Sequence, residues 1–142
     1  MKICLLMLGK TRRPEMVSAL EDYVKRISMS CPIEIAEVRD APAALKRLDA
    51  NRAAASVLLD AGGKVYGSEG FAKWLGEQRD RGIREVIFVC GDADGFPDSL
   101  RERVKQKLSL SAMTYSHELA RVMLAEQIYR AFAILSGSPY PK

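Results

Sequence analysis

"LSLSAMTYSHELARVMLAEQIYRAF", Leu108 to Phe132, changes period half-way along. From Leu108 to Met113 large apolar residues alternate with small ones, the period of two that marks a strand. After Ser116 the apolar residues Leu119, Val122, Met123, Ile128, Tyr129 and Phe132 recur at helical spacing. A strand handing over to a helix from about His117 to Leu135 is therefore expected.

The same hand-over recurs upstream. "KICLLMLG" (2–9) is an apolar run ended by Gly9, and "RPEMVSALEDYVKRIS" (13–28) carries Met16, Leu20, Tyr23, Val24 and Ile27 on one helical face. "PIEIAEV" (32–38) alternates as a strand. Asp40 and Pro42 open a helix predicted over 41–53. "ASVLLD" (55–60) reads as a buried strand, "AGGKVYG" (61–67) as a loop, and "SEGFAKWLGEQRDRG" (68–82) as a helix closed by Gly82. "REVIFVCG" (84–91) is a strand entering the loop "GDADG" (91–95), and "FPDSLRERVKQKL" (96–108) is a basic helix. Five strands alternating with five helices predict an α/β fold, a mostly parallel sheet with helices on both faces.

The 142 residues suit a single domain over the whole chain. A chain of this size buries roughly 70% of its unfolded surface, enough for an unaided core. A net charge of +4 permits a nucleic-acid partner without demanding one. Cys4, Cys31 and Cys90 show no CxxC spacing and accompany a single histidine, so no metal site is expected and the thiols are read as reduced. No apolar run reaches membrane-span length, and Ile3–Leu8 is too short for a signal sequence. A cytoplasmic protein is expected.

In an open parallel sheet, ligands bind beyond the carboxyl ends of the strands. Three such ends stand out: Leu59–Gly63, Cys90–Gly95 and Ala112–Ser116. Neither GxGxxG nor GxxxxGK[ST] occurs, which excludes the dinucleotide and P-loop readings. The glycines at these ends serve either tight turns or a close ligand approach. "DADG" lacks the remaining positions of a calcium loop and reads as a turn capping the next helix. His117 lies just past a strand end and opens a helix, where the dipole disfavours an imidazolium. Glu126 and Arg130 form an i,i+4 pair in the favourable order, set among apolar residues. That setting suggests a helix buried on more than one face, against the rest of the chain or a second subunit. Two basic clusters, Lys10–Arg13 and Arg101–Lys107, could grip phosphates. Tyr140, between two prolines, is a stiffened aromatic in the tail.

Over its whole length, and most specifically in "LSLSAMTYSHELARVMLAEQIYRA", the chain resembles the bacterial 23S rRNA pseudouridine N3-methyltransferase family, a small branch of the SPOUT superfamily. The resemblance implies a SPOUT-type α/β knot, with the last strand and helix threaded through a preceding loop as a C-terminal trefoil knot. It implies S-adenosyl-L-methionine as cofactor, held by Leu59, Gly91, Leu110, Ser111, Ala112, Met113, Thr114 and Tyr115. It implies methyl transfer to N3 of a pseudouridine in the helix-69 loop of 23S rRNA in the assembled ribosome, carried out by a homodimer without metal. The family's important positions on the final helix and tail carry over to His117, Arg121, Glu126, Arg130 and Tyr140.

The sequence departs from the family pattern twice. The family's tail histidine is Pro141 here, so a base would have to be Tyr140 or His117, or electrostatics would have to suffice. The family's Gly-Gly-Pro-Glu-Gly loop reads Gly91-Asp92-Ala93-Asp94-Gly95, with Asp92 in a position that favours glycine if its φ is positive. The competing expectation is a ribosome- or RNA-binding protein that keeps the fold with an altered target or without catalysis. A flavodoxin-like signalling domain is disfavoured by the final strand and helix.

Overall fold

The structure, a computed structural model, describes residues 1–140, so the reading of Pro141 lies outside the described residues. Five strands, β1 (Lys2–Leu8), β2 (Ile33–Val38), β3 (Ala55–Val65), β4 (Glu85–Cys90) and β5 (Gln106–Ser109), alternate with five helices. These are α1 (Pro14–Ile27), α2 (Ala41–Asp49), α3 (Ser68–Asp80), α4 (Asp98–Arg103) and α5 (His117–Ser136). The strands form one all-parallel sheet in the order β2-β1-β4-β3-β5.

The continuous apolar runs of β1 and β4 follow from their central place, since a strand covered on both faces needs apolar side chains at every position. Ile3, Leu5, Met7, Val86, Phe88 and Cys90 face a core built with α1, α3 and α5. Their neighbours Cys4, Leu6, Leu8, Ile87 and Val89 face the other way, against Ala44 and Leu48 of α2 and Leu100 of α4. The predicted helices on both faces are therefore present. Asp40 caps α2, accepting from the Ala43 amide at 3.0 Å.

The boundaries differ from expectation at three places. Helix α2 ends at Asp49 rather than running to residue 53. The expected loop 61–67 is mostly strand: β3 continues to Val65, but its register with β5 jumps between Leu59 and Lys64, both of which pair with Leu108. A bulge at residues 60–63 takes up the difference. Gly63 lies so close to β5 that a Cβ there would sit 2.6 Å from the Lys107 carbonyl carbon. A side chain is sterically excluded from this crossing.

The basic helix is shorter than its propensity suggests, and β5 starts at Gln106 instead of at Leu108. Ladder pairing with Val57 and Leu58 recruits Gln106 and Lys107, so tertiary pairing overrides local helix preference. Lys107 then donates through Nζ to the carbonyls of Arg101 (3.3 Å) and Val104 (3.1 Å), closing the end of α4. As a result, Leu110–Tyr115 are not strand, despite their alternation. They leave the sheet as a loop. Helix α5 packs against both α1 and α3, which accounts for its apolar surroundings on more than one side.

Candidate functional site

That loop closes over a cleft of about 420 Å³ at the carboxyl edge of the sheet. Leu59 enters it from β3, Gly91 from the end of β4, and Leu110, Ser111, Met113, Thr114 and Tyr115 from the segment after β5. Ala112 sits exposed in the same segment without lining the cleft. The segment is shaped by its own serines: Ser109 Oγ donates to the Ser111 carbonyl at 2.9 Å, and Ser111 Oγ accepts from the Met113 amide at 3.0 Å. These are local bonds that compete with the strand ladder.

The floor is apolar, with Leu59, Phe96 and Ala120, and two carboxylates stand on the wall, Asp60 and Asp92. Asp60 is fixed by Arg101, whose Nη1 donates to Oδ2 at 2.8 Å. Asp92 has no positive φ, so aspartate is unstrained there; Gly95 is the loop residue in the left-handed region, at φ 78°. The Asp92 side chain accepts from the Asp94 amide at 2.9 Å, closing its own turn rather than capping α4. Sequence reasoning missed Phe96 and the Asp60–Arg101 pair: Asp60 lay inside a strand end it had singled out, and Arg101 was read as a phosphate-gripping cation.

His117, the first residue of α5, lines the cleft, with Nε2 3.9 Å from Glu118 Oε2. Ser116 caps the helix, accepting from the Leu119 amide at 3.4 Å. Glu118 faces away from the cleft, buried, and accepts the backbone amides of Arg12 and Arg13 at 3.0 Å each. Those two bonds hold its pKa below the usual carboxylate range. Nothing in the sequence ties Glu118 to a loop more than a hundred residues earlier, and no pattern would have found it.

Arg121 has no exposed surface and does not line the cleft. It lies beneath it, as a clamp. Nη1 donates to the Gly9 carbonyl (3.2 Å) and Thr11 Oγ1 (3.0 Å); Nη2 donates to the carbonyls of Leu8 (2.6 Å) and Gly91 (3.2 Å). Burial lowers its pKa; its direct hydrogen bonds go to carbonyls and a hydroxyl, while Glu118, Glu37 and Asp92 offset its charge from further away, and Nε has no partner among the described residues.

Glu126, Arg130 and Tyr140 form a separate group, about 13 Å further along α5 at 1.5 Å per residue. Glu126 Oε2 accepts from Arg130 Nη2 at 2.6 Å and from the Tyr140 hydroxyl at 2.7 Å. The Tyr140 ring packs edge-on against Tyr129 with centroids 4.6 Å apart. Glu126 borders a second cleft of about 390 Å³, between Tyr23, Tyr66 and α5, and Leu110 lines both clefts. The residues expected to act together thus fall, within one chain, into two neighbouring groups.

The buried thiols are not nucleophiles, since burial raises Cys4 to about 11 and Cys90 to about 12. Cys4, Glu34 and Glu85 cluster at the opposite edge of the sheet. Arg47 Nη2 already lies 2.8 Å from Glu85 and 3.1 Å from Glu34, and Lys2 Nζ lies 3.6 Å and 3.9 Å from the same two, so the two carboxylates of that cluster are matched by two resident cations.

A doubly wound parallel sheet with a cofactor-sized cleft at its carboxyl edge, closed by the loop that enters the last helix, defines an α/β class that binds small ligands at its strand ends. The chain belongs to the SPOUT methyltransferase family: the model described as "Predicted SPOUT methyltransferase" matches residues 1–141. It is 40% identical over 151 aligned positions, covering 99% of both chains, to the Ribosomal RNA large subunit methyltransferase H of Pelobacter propionicus. Its fold is similar to the tRNA (m1G37) methyltransferase of Aquifex aeolicus, with a TM-score of 0.62 at 14% identity, covering 100% of this chain and 74% of that one. It is also similar to the SpoU methyltransferase AviRb of Streptomyces viridochromogenes, a structure in complex with the cofactor AdoMet. There the TM-score is 0.51 at 9% identity, over 92% of this chain and 57% of that one.

Proposed function

We propose that this protein transfers a methyl group from S-adenosylmethionine to N3 of a pseudouridine in the helix-69 loop of 23S rRNA, in assembled ribosomes. The observation that carries the proposal is the convergence of three strand-end segments on one cleft with His117 at its rim. The cleft fits the cofactor: its volume is in the range of small-molecule sites, its apolar floor suits an adenine, and the Asp92 carboxylate, which has no salt-bridge partner among the described residues, suits a cationic sulfonium. Leu59, Gly91 and the Leu110–Tyr115 loop would hold it, and bound there it supplies an activated methyl group.

The chain's own residues supply alignment and charge control. The N3–H of a pseudouridine is a poor nucleophile until its proton leaves or its developing anion is stabilised. In this reading His117, the imidazole at the cleft, accepts that proton, and the Glu118 carboxylate 3.9 Å from its Nε2 offsets the helix dipole that opposes the imidazolium. The amino terminus of α5 stabilises negative charge developing on the base. Arg121 keeps the Gly91 end of the cleft in register with the β1 end, which serves alignment.

A homodimer is part of this reading. Glu126, Arg130 and Tyr140 lie away from His117 within one chain, and a second copy is what would bring such a group to the first cleft. The threading of α5 through a preceding loop and a cytoplasmic location also belong here; no helix among the described residues is long and apolar enough to cross a membrane.

The test is calorimetry with S-adenosylmethionine, then radiolabelled methyl transfer to unmodified large subunits and whole ribosomes, with mapping of the labelled nucleoside. Labelling of another nucleotide would replace the target; no cofactor binding at millimolar concentration would favour the second reading. That reading is an RNA-binding protein without catalysis, favoured by the way Glu126, Arg130 and Tyr140 satisfy one another.

A further inference from the structure

The two basic clusters of the sequence have different fates in the fold. Three cations of the α4 region are engaged internally, while Lys105 is exposed. Arg101 holds Asp60 at 2.8 Å, Arg103 holds Asp49 at 3.2 Å, and Lys107 donates to two carbonyls. In the loop between β1 and α1, by contrast, Lys10 and Arg12 are exposed and form no salt bridge among the described residues, and Arg13 pairs only with exposed Glu15.

This loop is fixed from beneath. Its Gly9 carbonyl and Thr11 hydroxyl accept from Arg121, its Arg12 and Arg13 amides donate to Glu118, and its Thr11 amide donates to Glu37 Oε2 at 3.0 Å. The neighbouring carboxylates Glu37 and Glu118 accept from backbone amides and form no salt bridge with Lys10 or Arg12 among the described residues. Glu118 directly follows His117, so the loop is tied to the rim of the cleft. A rigid backbone that presents free cations beside a reaction site is preorganised to bind a polyanion.

We infer that the Lys10–Arg13 loop is a phosphate-binding element, with Lys10 and Arg12 gripping the RNA backbone to seat the target nucleotide at the cleft. The inference rests on the RNA-methyltransferase reading and names the surface by which the RNA is held. A phosphate contact contributes affinity that falls with salt, so its removal makes the dependence of log K on log salt shallower by nearly one per contact.

The experiment measures binding of the full chain to purified large ribosomal subunits lacking the modification, across a series of KCl concentrations. The double variant Lys10→Ala/Arg12→Ala should bind about ten- to a hundredfold more weakly at low salt, with a slope shallower by about 1.5. Arg84→Ala, which removes an exposed cation at the opposite edge of the sheet, should change affinity less than about twofold. An unchanged slope in the double variant, or an equal loss in Arg84→Ala, overturns the assignment. So does a loss seen with whole subunits but absent with protein-free 23S rRNA, which would give the loop to a ribosomal protein. Calorimetry with S-adenosylmethionine on the same samples separates the two readings. Equal cofactor binding with a shallower slope supports the loop. A wild-type chain that binds no cofactor, with the slope still reduced in the variant, sinks methyl transfer and leaves the phosphate loop standing.

Discussion

The Tyr140 hydroxyl donates to Glu126 Oε2 at 2.7 Å, on the same carboxylate that accepts from Arg130 at 2.6 Å. A phenol that donates to a carboxylate is a proton holder, not a base. Burial and the Glu126 carboxylate push Tyr140 well above the ordinary tyrosine range. Because the folded value is raised, the stabilisation is fully present below the unfolded value of about 10 and is lost as pH rises through the folded one. Tyr140→Phe should cost about 1 kcal/mol in urea unfolding at neutral pH. The gap in melting temperature between wild type and variant should stay constant to about pH 10 and close above it. A gap already closing at pH 8 would mean the phenol is not held this way.

Arg121 ties the carboxyl ends of β1 and β4 together through buried carbonyls of Leu8 and Gly91. Removing it leaves these acceptors unsatisfied in the interior and opens a void. Arg121→Ala should lower the unfolding free energy by about 3–5 kcal/mol. Arg121→Lys, a point charge without the planar fork, should recover only part of this. Denaturant midpoints decide it: a loss under about 1 kcal/mol for the alanine variant would show that water replaces the guanidinium at little cost.

The pH dependence at Glu118 has the opposite sign to that at Tyr140. Its folded pKa is depressed by the Arg12 and Arg13 amides, so its contribution is present above the unfolded value of about 4.3 and is lost as pH falls through the folded one. Glu118→Gln offers one acceptor oxygen to two donors. It should melt lower at neutral pH, and the difference from wild type should close below about pH 4. A difference unchanged by acid would point to packing rather than to the carboxylate.

The alternation of elements, the two-faced burial of β1 and β4 and the Asp40 cap were legible because each is written in local periodicity or capping chemistry. The positions expected to hold a cofactor line one cleft, Ala112 excepted, because strand ends in a parallel sheet converge by geometry. What stayed hidden depends on contacts distant in sequence. The period of two in "LSLSAM" also suits a serine-bonded loop, and only pairing with β3 decides where β5 stops. Arg121 and Glu118 are ordinary helix residues until the fold sets them against the β1–α1 loop.

Gly63 could have been read more closely, since a glycine pair inside an apolar strand run signals a bulge or a close backbone approach. Gly63→Ala would put a Cβ 2.7 Å from the Lys107 carbonyl oxygen, a backbone atom with little freedom to move. The variant should lose about 2 kcal/mol or more, and hydrogen exchange should rise at Gln106–Ser109 as β5 is pushed from the ladder. Because β5 launches the Leu110–Tyr115 loop, affinity for S-adenosylmethionine should fall as well. Unchanged exchange in β5 would mean that the bulge relaxes without disturbing its neighbour.

His117 is the sharpest test of chemistry, because it lines the cleft while its neighbour Glu118 faces the other way. If its imidazole accepts the N3 proton, His117→Ala should lower kcat about a hundred- to a thousandfold. Cofactor affinity should change little, since apolar and backbone groups dominate the rest of the lining. Free imidazole added to the variant should restore part of the rate, which a purely structural role would not allow. If the variant instead keeps near-wild-type turnover, the amino terminus of α5 is stabilising the nucleobase anion by itself. The helix dipole would then carry the electrostatic work, and a Ser116→Ala change, which frays the capped end, would become the slower of the two variants.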